Sequence, residues 1–535
     1  MAVANPIQAW ETDAGFASAD IDIDHVAGDV SRYKVVPNNT DARTANSVAL
    51  KKLLSAGGRS RFAGSLRFAN TTGNDTYHFD DFIEIKEGVH IDLQGCTLAF
   101  TRSYAPADNT KGFLMLVRDA TIENGTLDIR YDGTGGINAG MALRIGSRNG
   151  YSFGTFASGI QDETLARPMG KIVVRRLGIT TNNPQAAVAL IGGLEDVSLE
   201  DVHIDGQGRS TIGIYYEFGF WHYEARPANR KSSHARNLSL RNIYIKRMDA
   251  AAGLGLGIVG AMSADVQGLW VDGAFNGLDC RSGEALYYNV GKPYEKSKPQ
   301  VVLENINCTN IGGTGIALTG AEAARGGFLK PVVAALAAGP AAAAQTDRLK
   351  FSLDSFSVDA RGMGLKVSGP ATVRNGSLHG LSGSGQLVIT DECVQFEFDS
   401  VRIVDSSNVG VRANFGAAIW NPPRLKTGSF RNCVVAGNTG PGFAIGNSRS
   451  VLIENCRIGY SARYDGAEES RQTSGVMVAA AGGAGVVCRG CYVTTSAGAL
   501  AYVNNGRRQN GCEIWNARGT TTHTAGKWTV DGSKG

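Results

Sequence analysis

Apolar residues in this chain fall in short alternating runs, and the runs repeat. A six-residue phrase recurs: apolar, polar, turn former, small or apolar, variable, apolar. It reads Ile-Glu-Asn-Gly-Thr-Leu at 122–127, Val-Arg-Arg-Leu-Gly-Ile at 174–179, Leu-Glu-Asp-Val-His-Ile at 199–204 and Leu-Arg-Asn-Ile-Tyr-Ile at 240–245. It continues through 266–271, 303–308, 373–378, 398–403 and 430–435 to Ile-Glu-Asn-Cys-Arg-Ile at 453–458 and Cys-Arg-Gly-Cys-Tyr-Val at 488–493. Counted on the fourth position, 177 to 202 is 25 residues, 243 to 269 is 26, 376 to 401 is 25 and 433 to 456 is 23. A unit of that size, with longer steps where insertions enter, is one coil of a solenoid. Alternation within the phrase puts every second residue inside. The Asn or Asp at its centre predicts a tight bend, because these residues tolerate the left-handed conformation.

A second phrase, Gly-apolar-variable-apolar-variable, follows in register. It appears as Gly213-Ile-Tyr-Tyr-Glu217, Gly277-Leu-Asp-Cys-Arg281, Gly315-Ile-Ala-Leu-Thr319 and Gly410-Val-Arg-Ala-Asn414, with further copies at 442–446 and 475–479. Two columns in step predict an all-β, single-stranded right-handed parallel β-helix with an N-terminal capping helix. Thr40-Asp41, then Ala45 to Leu54 and Gly57-Gly58, reads as that helix. Residues 1–75 form the N-terminal segment, 76–515 the helix and 516–535 a tail, with loop insertions at about 131–170, 218–235, 283–300 and 321–348.

From Thr40 to about residue 505 the chain resembles the pectate-lyase-like superfamily, which includes phage tailspikes and β-helical glycosidases. The resemblance rests on the Thr-Asp capping helix, the glycine-rich turn and Ile85-Lys-Glu-Gly-Val-His-Ile-Asp-Leu-Gln-Gly95. It implies a polysaccharide partner, and it brings a homotrimer forward as an arrangement to test. It implies an extracellular, periplasmic or virion setting rather than a cytoplasmic one. The Asn-x-Asp, Asp-Asp, Gly-His-Gly and Arg-x-Lys signatures of polygalacturonases do not occur as a set, so no catalytic residue is carried over.

Composition narrows the partners. Lys+Arg 53 against Asp+Glu 49 leaves +4, without the concentrated basic excess that nucleic acid requires. The start, Met1 to Glu11, has neither the basic nor the apolar region of a signal peptide. Gly326 to Ala344 is apolar but broken by Lys330, Pro331, Gly339 and Pro340, which predicts a short helical excursion or loop rather than a membrane span. The nine cysteines include Cys488-Arg-Gly-Cys491, yet no second pair stands at zinc-site spacing. They are expected as core residues, with Cys433, Cys456 and Cys491 in one column, and no metal or cofactor is expected. Gly255-Leu-Gly-Ile-Val-Gly260 matches a dinucleotide fingerprint, but no helix follows it and the glycines belong to the repeat.

Chemistry is expected on the outward positions of the second phrase. These read Ala142/Arg144, Ala189/Ile191, Tyr215/Glu217, Val259/Ala261, Asp279/Arg281, Ala317/Thr319, Lys366/Ser368 and Arg412/Asn414. Acids are scarce among them. Glu217 and Asp279 stand two coils apart, which stacked strands translate to roughly 10–12 Å, within reach of a glycosidase carboxylate pair. Arg281, in the column expected for Glu217, would hold a substrate carboxylate or adjust a neighbour's acidity. The insert after Glu217 holds Trp221, His222, Tyr223 and Glu224, and the one after Arg281 holds Glu284 and Tyr287. Aromatic loops beside a charged sheet face make a cleft wall. Asp249 reads as a turn residue or a third acid; Tyr215 and Lys246 are further binding candidates.

Three functions fit this pattern: glycosidic cleavage by hydrolysis or transfer, β-elimination of a uronate polymer, and non-catalytic saccharide binding by a spike or adhesin. For the lyase, Tyr215, His222, Lys246 and Arg281 are the candidates.

Overall fold

The computed structural model describes residues 5–55, 62–103, 111–116, 118–132, 140–146, 169–182, 185–191, 194–217, 237–259, 263–281, 300–319, 350–380, 386–390, 393, 395–404, 409–413, 426–446, 448–459, 474–478, 485–494, 500–505, 512–516, 518, 524–526, 528–531 and 533–534. The chain divides into two compact units, Met1–Asp265 and Val266–Gly535. Each is built as a right-handed parallel β-helix. Among the described residues, coils contribute to a long-strand sheet, in several cases as two segments split at the bend, and to a short-strand sheet.

In the first unit the long strands step from Gly64–Arg67 to Val89–Asp92, Ala120–Asp132, Met169–Thr181, Leu194–Asp205 and Asn237–Lys246, all parallel. The short strands step from Ile83–Ile85 to Gly112–Leu116, Met141–Gly146, Ala186–Ile191, Ile212–Glu217 and Leu254–Val259. Helix Arg43–Ser55 lies at the N-terminal end, as the sequence predicts. Its Leu50, Leu53 and Leu54 are buried. Asn46 pins it by accepting from the Val36 amide at 2.9 Å and donating to the Val36 and His78 carbonyls at 3.0 and 3.2 Å.

Ahead of that helix is a cluster the sequence does not announce. Glu11 and Arg32 are fully buried. The Glu11 carboxylate accepts from Arg32 Nε at 2.6 Å, Arg32 Nη2 at 3.0 Å, the Tyr33 hydroxyl at 3.0 Å and the Gln8 amide at 2.7 Å. Burial pushes this carboxyl up, but the Arg32, Gln8 and Tyr33 hydrogen bonds outweigh it and hold it below the usual range.

The second unit repeats the scheme. Its long strands run from Gln300–Ile311 through Lys350–Ala360, Ala371–His379 and Gln395–Val404 to Ser448–Glu454 and Val486–Arg489. Its short strands run from Asn276–Arg281 through Ile316–Thr319 and Leu365–Val367 to Ser474–Val478 and Leu500–Asn504. The coil at 350–360 adds a repeat to those read from sequence: its phrase, Leu353-Asp-Ser-Phe-Ser-Val358, follows directly on the long alanine-rich insertion. Stacking also continues beyond residue 515: Tyr502 pairs with Thr524 and Glu513 with Thr529. An antiparallel turn, Thr529–Val530 against Ser533–Lys534, ends the stack. Trp528 is buried there against Tyr502, ring centroids 5.7 Å apart.

The bend is where the sequence was read most directly. At the third position of the phrase, Asn124, Arg176, Asp201, Asn242, Asn305, Asn375, Ser400, Asn432 and Asn455 all have φ between 49° and 61°. Asn and Asp tolerate this region because their short side chains bond locally. Here the bonds also cross coils: Asn124 Nδ2 donates to Asp92 at 2.9 Å, Asn242 to Asp201 at 3.0 Å, Asn375 to Asp354 at 2.9 Å and Asn432 to Asp399 at 2.9 Å. The neighbouring outward row is charged. It runs Asp92, Glu123, Arg175, Glu200, Arg241 in the first unit and Glu304, Asp354, Arg374, Asp399, Arg431, Glu454, Arg489 in the second, each run opening on an acid–acid step and alternating in sign after it.

Inside, the alternate residues are apolar and aromatic, including the stacked Phe398 and Phe430 rings at 5.2 Å. All nine cysteines are buried thiols. Cys456 lies between the thiols of Cys433 and Cys491, and these neighbours together with burial push it far up. Cys488 belongs to the strand Val486–Arg489, facing the core. Among the described residues no helix is long and apolar enough to cross a membrane.

Candidate functional site

Strand Ile212–Glu217 alternates as expected: Ile214 and Tyr216 point inward and are fully buried, while Tyr215 faces out. Its neighbours differ from the sequence reading. Tyr215 pairs with Ala189 on one side and Gly257 on the other, and Glu217 with Ile191 and Val259. The register is therefore two residues earlier than the expected Val259/Ala261 pair. Likewise Arg144 stands beside Ala189, not Ile191. The slip has a simple origin, since Gly255-Leu-Gly-Ile repeats glycine at a two-residue interval and fits either alignment.

The outward side of these coils is also covered rather than open. Ala142 is fully buried, Arg144 and Ala189 are 2% exposed, and Val259 is 8% exposed. Tyr215 is half-buried and packs against Met141, Ala186 and Ala189. The apolar outward letters (Ala142, Ala189, Ile191, Val259) were the available signal: a face meant for water would carry polar residues there. A Cβ built on Gly257 would stand 2.7 Å from Tyr215 Cδ2, so the ring is laid against bare backbone.

Asp279 and Arg281, in the second unit, do face outward from strand Asn276–Arg281, with Leu278 and Cys280 inward. The guanidinium reaches back along its own strand to one carboxylate oxygen, with Nη2 and Nε at 2.8 and 3.1 Å from Asp279 Oδ2. The pair is part-exposed, Arg281 at 38% and Asp279 at 21%. Ala317 and Lys366 continue the Asp279 row, and Thr319 lies beside Arg281. Ser368 and Thr390 follow, their hydroxyls 2.9 Å apart. The two rows thus present one ion pair, the Lys366 ammonium and the Thr319 and Thr390 hydroxyls, interrupted by Ala317, Val388 and the buried Ser368.

The other candidates separate. Lys246 ends a strand of the long-strand sheet, where its ammonium lies 3.6 Å from Asp205, so it is on a different sheet from Tyr215. Asp249 caps a turn: its Oδ1 accepts from the Ala251 and Ala252 amides, both at 2.8 Å. That favours the turn reading over a third acid. Trp221, His222, Tyr223, Glu224, Glu284 and Tyr287 lie outside the described residues, as do the side chain of Glu217 and the alanine-rich segment 326–344.

Two features escaped the sequence reading. On the long-strand sheet, His203 and Tyr244 hold rings 5.8 Å apart on neighbouring coils. Beside them, Asp205 is bonded by Arg247; burial pushes its carboxyl up, and the Arg247 and Gln207 hydrogen bonds outweigh this and lower it. Under the capping helix, Lys51, Asp81, Phe82, Glu84, Lys86, Lys111 and Met115 line a pocket of about 370 Å³. Arg102 and Lys111 stand over the Phe82 ring at 4.8 and 5.2 Å. These residues come from four separate segments, so no local spacing reveals them.

No family model and no curated protein sequence matches the chain. Among solved structures it is similar to the A-module of the mannuronan C-5 epimerase AlgE4 of Azotobacter vinelandii, at 11% identity and TM-score 0.34, covering 93% of this chain and 98% of that one. It is similar to tailspike protein 3 of bacteriophage CBA120, at 9% identity and TM-score 0.36, covering 94% and 60%. It is also similar to an exopolygalacturonase from Thermotoga maritima, at 10% identity and TM-score 0.24, covering 86% and 87%. At these values the β-helix assignment stands on the strand pairing itself.

Proposed function

We propose that the protein is a polysaccharide-active enzyme that cleaves glycosidic bonds, acting outside the cytoplasm or on a virion. The observation that carries this reading is the outward Asp279–Arg281 pair set in a row of small, cationic and hydroxyl side chains. On the coils that follow, Lys366 and the Thr319 and Thr390 hydroxyls offer an extended sugar chain further hydrogen bonds. An ion-paired carboxylate on that row supplies a base or nucleophile for glycoside cleavage. Glu217, in the first unit between Ile191 and Val259, is a separate candidate acid, tested by its own substitution.

The test is incubation with a panel of acidic and neutral polysaccharides, following reducing ends together with near-ultraviolet absorbance. Reducing ends without absorbance are expected, with release falling by roughly 100-fold or more in Asp279→Asn and Glu217→Gln. Absorbing 4,5-unsaturated ends would make it a lyase, a reading that Arg281 favours as a uronate-binding cation. Saccharide binding with no new ends from any polymer would leave a binding spike.

A further inference from the structure

The first coils carry a second chemistry on the long-strand sheet. Ser65, His90 and Thr121 stand in one outward row on three successive strands, and Glu123 is two residues along from Thr121. His90 Nε2 lies 2.6 Å from Glu123 Oε1, and His90 Nδ1 lies 3.5 Å from Ser65 Oγ. The other carboxylate oxygen, Oε2, accepts from Arg175 Nε and from Arg176 Nη2 at 2.6 Å. The Glu123 side chain is only 5% exposed, whereas that of His90 is 38% exposed and Ser65 is open to solvent.

This geometry fixes the direction of the hydrogen bonds. The Arg175 contact, working against burial and aided by His90, holds the Glu123 carboxyl below its usual range. Glu123 is therefore an acceptor, and the imidazole must offer it Nε2–H. In the neutral ring with Nε2 protonated, the Nδ1 lone pair faces the Ser65 hydroxyl. A hydroxyl, an imidazole nitrogen able to accept from it, and a buried carboxylate that orients the ring are the parts of an activated nucleophile. A 3.5 Å separation at rest is one that substrate binding tightens.

We propose that Ser65, His90 and Glu123 hydrolyse short acyl esters, with Ser65 as nucleophile, His90 as general base and acid, and Glu123 as positioning residue. Ser65 Oγ bonds to the ester carbonyl carbon as its proton passes to His90 Nδ1. The carbon–oxygen bond to the alcohol then breaks, and the leaving oxygen takes that proton. Water attacks the acyl-serine, giving one proton to Nδ1, which returns it to Oγ as the acid departs. The sum is ester plus water to alcohol plus carboxylic acid. An exposed serine on an open sheet face suits an acyl group displayed on a polymer; only that choice of carrier rests on the polysaccharide reading above.

The experiment treats the full-length protein with a fluorophosphonate probe and maps the adduct by peptide mass spectrometry. Hydrolysis of p-nitrophenyl acetate is measured in parallel. A phosphonyl adduct on Ser65 is expected, together with ester hydrolysis that falls at least about 100-fold in Ser65→Ala and in His90→Gln. Ser65→Ala removes one exposed oxygen and should keep both its melting temperature and any release of reducing ends from polysaccharide. Glu123→Gln should displace the rising limb of the pH profile, an effect that mere loosening of the fold does not produce. Absence of an adduct on Ser65, or unchanged ester hydrolysis in a folded Ser65→Ala, overturns the proposal. Because p-nitrophenyl acetate contains no sugar, failure to cut any polysaccharide leaves this result readable by itself.

Discussion

The Tyr215 ring rests on Gly257: an added Cβ would meet its Cδ2 at 2.7 Å and its Cε2 at 3.1 Å, with backbone in place of a side chain beneath it. The glycine is thus a packing partner, and its substitution is a test of whether the covered face holds its shape. Gly257→Ala is expected to displace the ring and destabilise by about 1–3 kcal/mol. Tyr215→Ala in the same chain should recover part of that loss. A double-mutant cycle by chemical unfolding measures the coupling, and strict additivity would show that the ring does not rest there.

Glu11→Gln tests the buried cluster ahead of the capping helix. It strips Arg32 of its carboxylate partner in a fully buried setting, and about 3–5 kcal/mol of stability should go. The pH dependence has a defined sign. The folded Glu11 carboxyl lies below its free value of 4.5, so its contribution is present above that pH and is lost as pH falls through the folded value. The variant should accordingly lose less stability than the parent between neutral and strongly acidic pH. Urea unfolding at both ends of that range checks it.

The bend column separates conformational cost from hydrogen bonding. Asn432 has φ 54° and donates to Asp399 at 2.9 Å. Asn432→Ala forfeits both advantages, and about 1–3 kcal/mol is expected. Asn432→Gly relieves the steric term and loses only the side-chain bond, so its melting temperature should lie between those of the parent and the alanine variant. Equal losses would show that the left-handed conformation carries no cost here.

At the other end, Trp528→Ala should open the last coil. The indole is 3% exposed against Tyr502, and truncating such a residue costs about 3–5 kcal/mol. Limited proteolysis should cut first near residues 500–530, ahead of any cut within 83–132.

The coil was legible because each bend leaves a letter. A left-handed residue every coil selects Asn or Asp, and Asn242 or Asn455 can be read without a structure. Ser355 fits the same bend as Ser400, but its coil lies beyond the long alanine-rich insertion, where coil spacing no longer points to it. The column facing Tyr215 was misaligned because two glycines two residues apart serve equally well, and only pairing chooses Gly257. The outward face was taken as open, although Ala142 and Ala189 were spelling out a covered one. Asp279 and Arg281 were legible as outward neighbours since they share a strand. Ser65, His90 and Glu123 are separated by 25 and 33 residues, so only the stacking of three coils brings them together.

The alternating row of charge has a consequence for assembly. Successive coils are nearly alike in shape, so a strand could dock one coil too far and still bury its apolar side. In the row Asp354, Arg374, Asp399, Arg431, Glu454, Arg489, an omitted coil would set acid against acid or guanidinium against guanidinium. Each correct contact is worth at most about 1 kcal/mol on an exposed surface. A skipped coil puts one like-signed pair at the join, and that pair repels. From Asp354 to Arg489 the row therefore acts as a local parity check on coil order, penalising a skipped coil that the hydrophobic core alone would accept.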